Sequence, residues 1–178
     1  IVATLEGVLE RNPNHVGANH YLIHAVEASP KPERALASAK RIASLAPSAG
    51  HLVHMPAHIY QRVGNYAGAA KANVDAADVD RQWIAKHGPE SMYVGMYYNH
   101  NLQFGSASFA AYGDFANAKK LADELGAYDD NEVGRLGYLQ SLAFRACRMV
   151  VDTGIHAKRW TREQGVAFFV ENNGSNPK

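Results

Sequence analysis

The 178-residue sequence lacks the features that mark several common classes of protein. It contains one cysteine, Cys147, so no disulfide bond can form within the chain. Its 18 basic and 17 acidic residues nearly cancel and are spread along the sequence, which argues against nucleic acid or an anionic membrane as a partner. Apolar residues occur in runs too short for a transmembrane helix. We therefore expect a soluble protein.

The motifs of the common enzyme classes are also missing. The sequence contains no glycine-rich phosphate loop, no recognisable Ser-His-Asp order and no carboxylate pair typical of glycosidases. It also lacks His-Glu-x-x-His, the zinc-binding motif of many metallopeptidases. Any enzymatic activity must therefore come from another arrangement of residues.

Helical periodicity is what the sequence has in abundance. Alanine-rich segments carry apolar residues three and four positions apart, and no segment shows sustained alternation. The sequence predicts an all-α protein with two parts, residues 1–127 and a C-terminal helical segment over residues 128–178. The predicted helices lie near residues 1–11, 16–28, 32–45, 49–63, 66–86, 89–111, 114–126, 130–152 and 161–172.

A repeated histidine motif is the most informative feature of the chain. His-x-x-x-His occurs at His20 and His24, and again 34 residues later at His54 and His58. Residues three, four and seven positions apart share one face of a helix. By this spacing, Glu27 shares a helix face with His20 and His24, and His51 and Gln61 share a face with His54 and His58.

A third helix is expected to extend the same row. Aligning the glycines that end the two segments places His100 and Gln103 at the positions of His51 and His54. Tyr97 lies one turn before His100, within an aromatic and methionine-rich stripe. Such a stripe could hold an apolar ligand, although it is more often part of a hydrophobic core.

Two polar residues, Asn73 and Asp80, share a face of the long helix predicted near residues 66–86. From that face they could hold imidazole rings in place. A polar helix face is more often solvated, so we expect both side chains to be exposed.

The period of 34 residues is that of the tetratricopeptide repeat. The stretches GANHYLIHAVEAS, PERAL and GHLVHMPAHIYQRVGNY resemble a histidine-rich bacterial branch of that family. The resemblance covers about residues 1–126 and implies a solenoid of helical hairpins whose first helices face a concave groove, where ligands bind. The groove would be lined by His20, His24, His51, His54, His58 and His100.

The sequence begins inside a predicted helix, so we expect a piece of a longer protein. The resemblance implies a bacterial protein, from the cytoplasm or the periplasm.

Histidines in this pattern favour a metal site. An imidazole pair on one helix can hold an ion, and a helix packed roughly 8–10 Å away can add further ligands. Imidazole-rich sites suit Zn, Cu, Ni or Fe, and Glu27 could complete the set. In a metal-dependent hydrolase the ion would activate water, with Glu27 as a candidate base.

Two other interpretations stay open. The groove could bind a small molecule or a peptide through imidazoles acting as donors and acceptors, as in a protein interaction module that needs no metal. Its further contacts would be Glu27, Gln61, Tyr97 and Gln103. Alternatively, the histidines could be structural and hydrogen-bonded to one another between the hairpins.

The C-terminal segment has a different character. Residues 135–174, with the stretch VVDTGIH, are very similar to the end of an uncharacterised bacterial family of zincin-like metallopeptidases. That family carries His-Glu-x-x-His well upstream, and its absence here excludes a complete site of this kind. We expect these helices to cap the solenoid. The pattern from Thr161 to Gln164 is a capping box and predicts a helix start.

Overall fold

The computed structural model describes residues 1–89, 91–128, 161, 164 and 167. All regular elements within these residues are helical, which confirms the prediction of an all-α protein. A 3-10 turn (Pro32–Ala35) precedes α3, and a π-helical segment (Val94–Tyr98) precedes α7. The α-helices are α1 (Val2–Arg11), α2 (Val16–Glu27), α3 (Leu36–Leu45), α4 (Gly50–His54), α5 (Pro56–Arg62), α6 (Tyr66–His87), α7 (Asn99–Tyr112) and α8 (Phe115–Tyr128).

The helix ends follow local signals in the sequence. His15 Nδ1 accepts a hydrogen bond from the Ala18 amide at the start of α2, and Asn65 caps α6 through the Gly68 amide. Gly113 ends α7 with a φ of 91°, in the left-handed region that favours glycine. These signals place the helices close to their predicted ranges.

The second histidine-bearing helix, predicted as one continuous element, is broken at Met55. Pro56 has no amide hydrogen to bond to the carbonyl four residues back, and its ring crowds that carbonyl. The chain therefore forms α4 and α5, which meet at Met55 with its backbone still close to helical. The break falls within the histidine motif, because His51 and His54 precede it and His58 follows it.

Consecutive helices pack against one another. α1 packs on α2, α2 on α3, α3 on α5, and α5 on α6, which packs in turn on α7. α2 also contacts α5, so the two His-x-x-x-His segments lie side by side. Between α2, α3 and α5 lies a buried aliphatic cluster made of Leu22, Ile23, Val26, Ala35, Ala39, Ile42, Met55 and Ile59.

Helix α6 allows its neighbours to come unusually close. A Cβ added to Gly50 of α4 would overlap Asp80 Oδ1, and one added to Gly105 of α7 would lie 3.1 Å from Asn73 Cβ. Small side chains thus bring α4 and α7 against the polar groups of α6. The buried residues of α6 are Ala69, Ala70, Ala72, Asn73, Ala76, Ala77, Asp80 and Ile84.

The chain divides into two compact units, Ile1–Ala127 and Tyr128–Lys178. In the second unit, the Thr161 amide donates to Gln164 Oε1 at 2.8 Å and the Gln164 amide donates to Thr161 Oγ1 at 3.3 Å. These reciprocal bonds confirm the predicted capping box. The helix predicted near residues 130–152 lies outside the described residues. Among the described helices, none is long and apolar enough to cross a bilayer.

The substitution Gly105→Ala tests the close approach of α6 and α7. The new methyl group would press on Asn73 Cβ, which is fixed to the backbone, and on Leu121 Cδ1 at 2.7 Å. We expect the free energy of unfolding, measured with urea, to fall by roughly 1–2 kcal/mol.

The matched control for this substitution is Gly7→Ala in α1. There the nearest atom to the new Cβ is the end of the Arg11 side chain, 3.8 Å away. Alanine should then raise the free energy of unfolding by about 0.5–1 kcal/mol, because it forms helix better than glycine. Equal stability of the two variants would contradict the packing argument.

Candidate metal centre

Six histidine side chains lie together where α2, α4, α5 and α7 meet. Their rings form a continuous series of contacts, with centroids 4.7 Å apart for His54 and His58 and 6.2 Å apart for His51 and His54. α7 brings the ring of His100 to 4.8 Å from that of His54. These are the six histidines that the sequence predicted to share one surface, namely His20, His24, His51, His54, His58 and His100.

The cluster contains two sets of three histidines, each close enough to hold one ion. Within each set, one nitrogen from each ring lies within 4.8 Å of the other two. Three imidazoles are also the protein ligands of some catalytic zinc sites. We name the two sets by their burial. The outer triad is His20, His24 and His51, and the inner triad is His54, His58 and His100.

One nitrogen pair in each triad already has the separation of two ligands on one ion. The Nε2 atoms of His54 and His58 are 2.9 Å apart, and those of His20 and His51 are 3.1 Å apart. Two nitrogens at about 2.0–2.1 Å from an ion, at angles between octahedral and tetrahedral, lie roughly 2.9–3.4 Å apart. Both pairs could therefore bind an ion with little rearrangement.

Asn73 of α6 fixes the ring of His54. Its Oδ1 lies 2.7 Å from His54 Nδ1, while its Nδ2 donates to the Ala69 carbonyl at 2.8 Å. Since the amide nitrogen is committed to a carbonyl, the oxygen must accept, and His54 must carry its proton on Nδ1. The lone pair of His54 Nε2 is then directed towards His58.

The expectation that Asn73 and Asp80 are solvent-exposed is wrong, because both are completely buried. The α4 and α5 helices cover one side of α6 and α7 covers another, so its polar stripe faces inwards. Asp80 accepts hydrogen bonds from the Tyr93 hydroxyl at 2.6 Å and from Asn101 Nδ2 at 2.7 Å. Burial raises the pKa of Asp80, although these two hydrogen bonds oppose the rise.

Glu27 connects the two triads. Its Oε1 lies 3.1 Å from Nδ1 of His24 in the outer triad, and its Oε2 lies 2.5 Å from Nδ1 of His58 in the inner triad. Burial raises the pKa of Glu27, but hydrogen bonds from both histidines outweigh this effect and lower it to about 2. A carboxylate on Nδ1 orients a ring and makes Nε2 a better metal ligand. The sequence-based roles of Glu27, as a metal ligand or a catalytic base, stay predictions.

The buried histidines are in the protonation state that metals require. Burial, together with the neighbouring rings of His20 and His24, lowers the pKa of His51 to about 4. Burial also lowers the pKa of His20 and holds that of His54 well below the usual value. At neutral pH these rings are neutral and offer a lone pair to an ion.

Aromatic rings flank both triads. The Tyr97 ring, in the π-helical segment, lies 4.9 Å from that of His51. The Phe104 ring lies 5.5 Å from His58 and 5.9 Å from His100. Sequence analysis missed Phe104, although its position one turn after His100 is a signal that could have found it.

The two predicted glutamines lie differently with respect to the cluster. Gln61 Oε1 accepts a hydrogen bond from the Ser108 hydroxyl at 3.2 Å, which ties α5 to α7. Gln103 lies on α7, three residues after His100, and is partly exposed. Gln61 therefore contributes to helix packing, whereas the ligand contact of Gln103 stays a prediction.

Comparison with known proteins gives one family match, at the C-terminal end. Residues 117–178 match a family described as "Bacterial protein of unknown function (DUF885)". The match covers about a third of the chain and begins inside α8, ahead of the boundary predicted near residue 128. It confirms that the C-terminal segment resembles a bacterial family without an assigned function. No curated protein and no solved structure matches the chain.

The variant Asn73→Ala tests how the inner triad is held. It would leave the buried Nδ1 of His54 without its acceptor, so the metal-free protein should lose about 1–3 kcal/mol of unfolding free energy. Urea denaturation in the presence of a chelator measures this loss. The control is Asn14→Ala at an exposed position, where a change within about 0.5 kcal/mol is expected. If the two variants lost equal stability, Asn73 would not have the role assigned to it.

Proposed function

We propose that this chain is a helical-repeat protein that binds a transition metal ion, with the inner triad as its primary site. One observation supports this above all. His54 and His58 direct their Nε2 atoms at each other, 2.9 Å apart, while Asn73 and Glu27 hold the opposite nitrogen of each ring. In a metal-binding histidine one ring nitrogen is usually held by a hydrogen bond, and the other nitrogen binds the ion.

The inner triad would provide three ligands to an ion, which would keep at least one further coordination position for water or another ligand. His54 is fully buried, whereas 18% of the His58 side chain is exposed. One side of the site therefore lies inside the protein and the other is accessible to solvent. His100 adds the third imidazole from α7. Three protein ligands with an open position are typical of sites that bind water or an external ligand.

The ligand atoms favour borderline metals. The triads offer imidazole nitrogen without thiolate, which suits Zn, Cu, Ni or Fe better than Mg or Ca.

The proposed architecture is a tetratricopeptide-like solenoid with the histidines on its concave face. The 34-residue offset of the two His-x-x-x-His motifs supports it, as does the side-by-side packing of α2 and α5. In this arrangement each hairpin presents its first helix to the same groove.

A metal-dependent hydrolase is the second candidate, and the observation that favours it is the set of three imidazoles, which is the ligand set of some catalytic zinc sites. Glu27 is not well placed as its base, because both carboxylate oxygens are already bonded to histidines. A metal-bound hydroxide would therefore have to act without Glu27. If no metal binds, a peptide or small-molecule groove becomes the better account.

Metal analysis of the purified chain tests the proposal. After reloading with Zn, Cu, Ni or Fe and dialysis, we expect at least one ion per chain by plasma mass spectrometry. The variant His54→Ala/His58→Ala should lose most of this metal, because it removes two of three ligands from the inner triad. The single variant His58→Ala, at a partly exposed position, provides a milder test if the double variant does not fold.

The matched control is His15→Asn/His87→Ala, which removes two histidines outside the cluster. Asparagine keeps the helix cap that His15 provides. This control should bind as much metal as the parent chain. A parent chain that retains no metal, or a double variant that binds as much as the control, would contradict the proposal.

A further inference from the structure

The outer triad has the properties of a second ion site. The Nε2 atoms of His20 and His51 are 3.1 Å apart, and the third ring, His24, is held at Nδ1 by Glu27. His51 Nδ1 is buried and has no hydrogen-bond partner among the described residues. An unpaired buried polar atom is costly, and an ion that draws the ring into a new position is one way to relieve it.

The two triads are adjacent. The ring of His24 lies 5.5 Å from that of His58, and the ring of His51 lies 6.2 Å from that of His54. Glu27 bonds to one histidine of each triad through its two separate oxygens. An ion in one triad would therefore act on the position of a carboxylate that the other triad shares.

Charge indicates what such a pair of ions would bind. Two divalent ions bring four positive charges, while the described contacts of the triads provide one carboxylate, Glu27. The carboxylate of Asp80 is directed instead to Tyr93 and Asn101. Even a second carboxylate would leave an excess of positive charge, which favours an anionic ligand.

We propose that the two triads form one binuclear centre, and that its ligand is a phosphoryl group bound across both ions. Each ion would have three imidazole ligands and an open position, and a phosphoryl group offers several oxygens that can fill both positions. The rings of Tyr97 and Phe104 at the two ends of the cluster could contact an organic group attached to the phosphorus. This inference rests on the proposed function, since it requires the inner triad to bind metal.

Metal titration of the chain, followed by titration with inorganic phosphate or phenylphosphonate, tests the proposal. We expect two zinc ions per chain and one phosphate per two-ion chain by calorimetry. Tighter binding of phenylphosphonate than of phosphate would identify an organic phosphoryl compound as the ligand. Tighter binding of phosphate would identify the free anion.

The variant His20→Ala/His51→Ala isolates the second ion. It should keep the helical circular dichroism spectrum, bind one ion in the inner triad and lose phosphate binding. The control His15→Asn/His87→Ala should keep both ions and the anion. The milder variant Glu27→Gln should weaken the affinity for both ions together, by about 10- to 100-fold, because it serves both triads.

The outcomes separate this inference from the proposed function. A parent chain with one ion, or with two ions and no affinity for either anion, overturns the binuclear proposal and leaves the metal-binding function in place. A parent chain without metal overturns both. If Glu27→Gln weakened only one ion, the two triads would be independent sites, which also contradicts the proposal.

Discussion

The buried face of α6 is the constraint on which the site depends. Its alanines allow α5 and α7 to pack closely, while Asn73 and Asp80 provide its two buried polar groups. Each polar group must be paired inside the protein, since burial without a partner is costly. Asn73 forms a hydrogen bond with His54, and Asp80 accepts hydrogen bonds from Tyr93 and Asn101. The same pairs that satisfy α6 therefore fix the elements that carry the histidines.

Helix geometry and one proline then determine how the rings face each other. Pro56 breaks the second histidine helix, so that His54 and His58 belong to different helices while their Nε2 atoms stay 2.9 Å apart. The side-by-side packing of α2 and α5 adds the second motif, and Glu27 links the two. The result is a cluster of six imidazole rings whose nitrogen atoms lie close together. Such a cluster is better suited to binding an ion than to filling a hydrophobic core, because buried polar nitrogens need partners.

Much of this arrangement could be predicted from the sequence. Periodicity located the helices before residue 127, and the repeat of 34 residues indicated which histidines would meet. The sequence suggested that Asn73 could hold an imidazole ring but favoured an exposed side chain, because a lone asparagine on a helix gives no sign of whether that face is covered. The position of Glu27 also depends on the angle between α2 and α5, which spacing does not provide. The position of Phe104 beside the cluster could have been predicted, since this residue follows His100 by one helical turn.

X-ray absorption spectroscopy of the zinc-loaded chain tests the central claim most directly, because it reports the atoms bound to the ion. The account predicts nitrogen ligands at about 2.0–2.1 Å, with the multiple scattering of several imidazole rings. A shell of oxygen atoms without imidazole scattering would contradict it. So would sulfur ligands at about 2.3 Å, since the two triads contain histidine alone.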